Sequence, residues 1–155
     1  MAKNANETDI VHNRKASFDY ILLDRFDAGI ELKGPEVKSI RQRKVNLKDS
    51  FCRIESGQAY VYGMHISPYA QSGRFAPDPI RVRRLLLHKS EINRLTGLTQ
   101  QKGNTLVPTR IYIKGGLVKL EIAVAKGKKL FDKREKLRRR AVDREMQRSL
   151  KSSKR

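Results

Sequence analysis

Two runs of branched and aromatic residues, TLVPTRIYIK (105–114) and LVKLEIAVAK (117–126), meet at Gly115–Gly116. Glycines supply the positive φ that tight hairpins need, so this stretch reads as an antiparallel hairpin. DSFCRIESGQAYVYGMHI (49–66) reads as another, folded around SGQ. SFDYILLDRF (17–26) adds a strand, and DAG turns it into a short strand, IEL. In KGPEVKSIRQRK (33–44), Gly34 as N-cap, Pro35 in the first helical position and Glu36 at the positive end predict a helix. Val37 and Ile40 then face inward. RVRRLLLH (81–88) fits helix or strand, and KSEINRLTGLTQQK (89–102) a helix capped by Ser90 with Ile92, Leu95 and Leu98 on one side. SPYAQSGRFAPDP (67–79) is a loop, and residues 1–14 are polar and expected to be mobile. Five or six strands that do not alternate with the two helices predict a mainly β fold, a small closed barrel rather than a doubly wound sheet.

The rest of the chain cannot serve such a core. Residues 125–155 hold 14 Lys/Arg and 4 Asp/Glu, a net of +10 out of +19 for all 155 residues. The division expected is a domain over 1–125 and a basic tail over 126–155. The tail has a helical pattern: Asp132 with Glu135 resembles a capping box, and Leu137, Ala141, Val142, Met146 and Leu150 lie on one rough side. That stripe is thin and the charges repel, so the tail is expected to be largely disordered alone and helical against a row of phosphates.

Such a charge excess points to a polyanion, nucleic acid before acidic membrane. No apolar run is long enough for a membrane span, and MAKNANETDIVHNRKAS lacks a signal-peptide core. Cys52 is the only cysteine, expected as a small buried hydrophobe in a strand and consistent with a reducing, intracellular setting. His12, His65 and His88 are scattered, and no phosphate loop or nucleophile elbow occurs. Ser90 near His88 reads as a helix cap rather than a nucleophile. Neither enzyme, metal site nor cofactor is expected. Binding residues are better represented. Phe18 and Tyr20 would share a strand face on which bases stack; Phe18, beside NRKAS, reads as surface, while Tyr20 fits core or surface equally. Tyr60 and Tyr62 read as strand packing, and RVRR (81–84) as a phosphate patch or a soluble edge.

Four segments in order, AGIELKGPEVKSIR (28–41), DPIRVRRLLLHKSEINRL (78–95), KGNTLVPTRIYI (102–113) and VAKGKKLFDKRE (124–135), resemble the small protein B (SsrA-binding protein) family of bacterial trans-translation. The resemblance implies an OB-like barrel with a basic tail, acting as an RNA-binding adaptor and not as an enzyme. It implies binding to the tRNA-like domain of transfer-messenger RNA and delivery of that RNA to stalled ribosomes, where the tail enters the empty messenger channel as a helix. It places the family's aromatic–acidic–Tyr triplet on Phe18, Asp19 and Tyr20, its acidic turn residue on Asp27 and its RNA-binding leucine on Leu86. Glu36, Lys38, Ser39 and Arg41 fall on its EVKS-R motif, as barrel contacts to RNA: Lys38 and Arg41 to phosphate, and Glu36 and Ser39 either to RNA or only to order the helix. The tail set is Lys126, Gly127 as hinge, Lys128, Lys129, Asp132, Lys133 and Arg134, followed by the basic run Arg138, Arg139 and Arg140. A cytoplasmic monomer working with elongation factor Tu is implied, with no membrane partner; a general ribosomal protein is the alternative that composition leaves open.

Overall fold

The computed structural model describes residues 6–128 and 130–153, with side chains over 6–128 and 133–153. Strands are β1 (Glu7–His12), β2 (Tyr20–Ile30), β3 (Val45–Asn46), β4 (Phe51–Glu55), β5 (Gln58–Tyr62), β6 (His65–Ile66), β7 (Arg83–Leu86), β8 (Asn104–Lys114) and β9 (Leu117–Gly127). Helices are α1 (Arg14–Asp19), α2 (Gly34–Arg41), α3 (Lys89–Gln100) and α4 (Leu130–Ser152). Both expected hairpins form. Gly115 and Gly116 take φ of 56° and 77°, and Ser56 and Gly57 take 49° and 74°, so each turn is left-handed at both central residues.

The pairing order is β1-β8-β4-β5-β7-β2-β9, and β9 also pairs with β8. The ladder therefore returns on itself as a ring of six strands, with β1 added outside it on β8. β8 and β9 share ten paired positions and β2 and β9 eight, whereas β4 meets β8 at the single pair Cys52–Leu106. Alternation along the strands sends Ala28, Val61, Leu85, Leu106, Ile111, Leu120 and Ile122 into one core, to which α2 contributes Ile40 and α3 contributes Leu95. Cys52 is buried there as expected, and burial pushes its thiol pKa up.

Several expectations need correction. The polar N-terminus, expected to be mobile, forms β1 over Glu7–His12; Ile10 reaches the core, and Arg110 on β8 binds Asp9 at 2.6 Å and Glu7 at 3.5 Å, so charge pairing adds to the hold of a segment with few apolar residues. Ser17–Asp19 are helical, not the start of a strand. The Asn13 side chain accepts from the Ala16 amide (3.1 Å) and donates to the Pro108 carbonyl (2.9 Å), capping α1 and tying it to the barrel. β2 runs unbroken through Asp27-Ala28-Gly29 to Ile30, with no turn at DAG. RVRRLLLH yields β7. The N-caps of α2 and α3 are Lys33 and His88, one and two residues ahead of the expected Gly34 and Ser90. The tail forms α4, a helix of 23 residues, in line with its helical pattern. At 1.5 Å per residue it is about 34 Å long.

Candidate nucleic-acid interface

The expected binding residues fall into three places. The first is the junction of barrel and tail. A helix leaves its last carbonyls without internal partners, and those of α1 are met from the tail side. The Lys128 amide donates to Asp19 O (3.0 Å), while the Lys128 and Lys136 ammonium groups donate to Ser17 O at 3.0 and 2.6 Å. Lys133 pairs with the Asp19 carboxylate at 3.4 Å. Lys136 and Arg140 lie 5.9 and 5.6 Å from the Phe18 ring centre, within cation–π range. Burial, with the Lys128 and Arg140 cations beside it, pushes Lys136 below the ordinary lysine range. Phe18, Lys128, Lys133 and Arg140 were expected from sequence; Lys136 was not, although spacings of three from Lys133 and four to Arg140 put all three on one helix face. Because Ser17–Asp19 are helical, Phe18 and Tyr20 do not share a strand face. Tyr20 packs at the barrel's outer side with Ala16, Val107 and Ala125. Lys126 and Gly127 are the last residues of β9, paired with Ile21 and Tyr20. Arg134, Arg138 and Arg139 are exposed on α4, and Arg139 pairs with Glu135 at 2.9 Å. Lys129 and the Asp132 side chain lie outside the described residues.

The second place is the outer face where β2 meets β7 and α3. Gly29 pairs with Leu86, and a Cβ added at Gly29 would lie 3.1 Å from that of Leu86. The missing side chain lets Leu86 lie across β2 while staying 47% exposed. Asp27, two residues earlier on the same face, lines an open hollow of about 450 Å³ with Arg25, Phe26, Ser90, Glu91 and Arg94. Tyr112 hydrogen-bonds Asp27; burial first and that carboxylate second push its phenol pKa up. Arg94 stands 5.4 Å from the Phe26 ring. A cation, a carboxylate acceptor and an exposed leucine together suit an unpaired or tightly bent nucleotide.

The third is α2, where expectation and structure part. Lys38 and Arg41 are exposed; Lys38 stands 5.2 Å over the Tyr69 ring, and Arg41 donates to Gly116 O at 3.4 Å. Glu36 and Ser39, expected beside them as RNA contacts, are buried at 3% and 0% exposure. Glu36 accepts from the Lys33 amide (2.9 Å) and from Arg83 (2.6 Å), and pairs with Arg81. Burial opposes its charge, but the hydrogen bonds from Arg81, Lys33 and Arg83 prevail and hold its pKa below the usual range. The RVRR patch is thereby dismantled: Arg83 is fully buried, Arg81 is engaged, and exposed Arg84 pairs with Glu31 at 3.2 Å.

One surface was missed altogether. Phe51 and Tyr62 stack on the outer side of the β4–β5 hairpin at 5.3 Å and 5° between planes, with Arg53 5.5 Å from the Phe51 ring. Alternation with buried Cys52 was the available signal for Phe51 and Arg53. Tyr62, expected as strand packing, belongs to this outward stack. Among the described residues no group of three His, Cys, Asp or Glu could hold a metal ion, and no helix is long and apolar enough to cross a membrane.

Known proteins bear on this geometry. The chain is 55% identical over 152 residues to the SsrA-binding protein of Caldanaerobacter subterraneus subsp. tengcongensis, covering 97% of this chain and 96% of that one. It is 53% identical over 146 residues to the SsrA-binding protein of Enterococcus faecalis, covering 94% and 95%. A solved chain from work on tmRNA-SmpB and the center of the bacterial ribosome is 46% identical, with a TM-score of 0.67 over 77% of this chain and 85% of its own. A profile of the SmpB protein matches residues 10–152, so the ring of strands and all of α4 fall within it and the chain belongs to the SmpB protein family.

Proposed function

We propose that this protein is a non-catalytic adaptor that binds transfer-messenger RNA and acts with it on the ribosome in trans-translation. The observation that carries this reading is the architecture: a closed ring of strands with cation–aromatic pairs on its outside, continued without a linker domain into a basic helix. It is supported by the likeness to SsrA-binding proteins and to a tmRNA-SmpB chain. In this reading the barrel grips the tRNA-like part of the RNA through Phe18, Asp27, Lys38, Arg41 and Leu86. The exposed arginines of α4 engage phosphates of a messenger channel left empty by a truncated message. A message still in place competes for the same groove, so the tail reports its absence. The protein works as a cytoplasmic monomer, and the charged RNA arrives with elongation factor Tu.

The test is binding of the purified protein to transfer-messenger RNA and to an unrelated tRNA over a salt series. A preference for the first that persists as salt rises supports the adaptor. Equal affinities that collapse together signify counterion release alone and move a general ribosomal role ahead.

A further inference from the structure

Ile111 and Ile113 turn toward the core, so Tyr112 between them belongs to the outer face of β8. It is nonetheless only 2% exposed. Arg110, on the same face, covers its ring with the guanidinium 4.1 Å from the ring centre. Three carboxylates hold Arg110 in turn: Asp9 at 2.6 Å and Glu7 at 3.5 Å on β1, and Glu121 at 3.4 Å on β9. A phenol buried in this way needs a hydrogen-bond partner. Its partner is Asp27, which lies on β2 with β9 between the two strands. Asp27 itself is exposed and lines the open hollow with Arg25 and Arg94.

We propose that Tyr112 is a positioning residue for RNA recognition: its phenol holds the Asp27 carboxylate in one orientation before RNA arrives. An exposed aspartate samples several rotamers, and ordering such a side chain on binding costs affinity. The bond from the buried phenol removes that cost in advance. A carboxylate offers about four acceptor sites, so one donor from the protein leaves the others for the ligand. Phosphate is repelled by this charge, so the RNA group that meets it is a donor. The hollow is large enough to admit the amino edge of an unstacked base, which supplies one. Asp27 thereby contributes discrimination between RNAs rather than charge-driven affinity, and that discrimination depends on a side chain too buried for RNA to touch. The support reaches back to β1: its acids fix Arg110, Arg110 lies on the ring, and the ring sets the phenol against Asp27. This inference deepens the RNA-binding reading above and rests on it.

Tyr112→Phe in the full chain tests it, because the change removes only the hydroxyl and keeps the ring beneath Arg110. Fluorescence anisotropy should show binding of transfer-messenger RNA weakened by about fivefold, with binding of an unrelated tRNA unchanged. In an Asp27→Ala background the same change should cost nothing more. Equal losses in the two backgrounds, equal losses on the two RNAs, or no loss at all each overturn the proposal; a merely structural role for Tyr112 gives the first. The free protein supplies an independent readout. Three-bond NMR couplings from the Asp27 carboxyl carbon to the backbone should report one rotamer in the parent and averaging in Tyr112→Phe. Averaging already present in the parent overturns the proposal. A parent that prefers neither RNA refutes the adaptor reading instead, and the couplings still decide whether Tyr112 holds Asp27.

Discussion

Glu36 sits between two arginines and also accepts the amide of Lys33, the N-cap of α2, so one carboxylate serves a helix, a strand and a loop. Replacing it by Gln leaves the fully buried Arg83 without its counter-charge. Breaking a buried pair in this way costs about 3–5 kcal/mol, so Glu36→Gln should melt well below the parent in a thermal scan. The pH dependence has a definite sign. The folded pKa of Glu36 lies below its unfolded value, so its contribution is complete above the ordinary glutamate range and is lost as pH falls through the lowered folded value. The gap in melting temperature between Glu36→Gln and the parent should therefore be widest at neutral pH and narrow in acid; a constant gap would mean that the charge is not what matters. This role was illegible in the sequence. EVKS-R reads as four polar residues of a surface helix, and the partner that draws Glu36 inside is 47 residues away in sequence. Leu86 was legible only in part, because its exposure depends on the absent side chain of Gly29 across the ladder.

The elements that glycine punctuates were read directly: both hairpins and the break after α3. Those that depend on distant partners were not. β1 has few apolar residues, and it is a strand because Arg110 waits on β8 for its acids. α1 was hidden by the apolar run that follows Asp19; Asn13 was a usable cap signal, but the run beyond it dominated. For α4 the helical pattern was read correctly, and the structure sets its root on α1. That places the functional boundary after Lys128, past the end of β9. Truncation after Lys128 should keep binding of transfer-messenger RNA within several-fold of the parent in a filter-binding assay. It should abolish tagging of stalled products in a reconstituted translation system. An equal loss of both would contradict the division of labour between barrel and helix.

The whole molecule is a ring with two thin seams. β8–β9 and β2–β9 share long ladders, but β7 joins β2 through two paired positions, Gly29 with Leu86 and Ile30 with Leu85, and the β4–β5 hairpin closes onto β8 through one, Cys52 with Leu106. Local opening follows the fewest contacts. Hydrogen exchange should accordingly show the β4 amides exchanging at lower free energy than those of β8 or β9, as a sub-global event; uniform protection around the ring would contradict this. RNA held across the outer faces of β2 and β7 covers the first seam and leaves the β4–β8 seam free, so β4 protection should change little on binding.

The main-chain bond from Lys128 to Asp19 O has a mechanical consequence. It fixes the root of a rod about 34 Å long to a stiff frame, which makes the junction a fulcrum. A tilt of roughly ten degrees there swings the far tip by about 6 Å, as much as one helical turn. Small rearrangements around Phe18 are thus geared up into displacements as large as a nucleotide step. Because one bond of that fulcrum is main-chain, substitutions on the exposed face of the rod leave that bond in place.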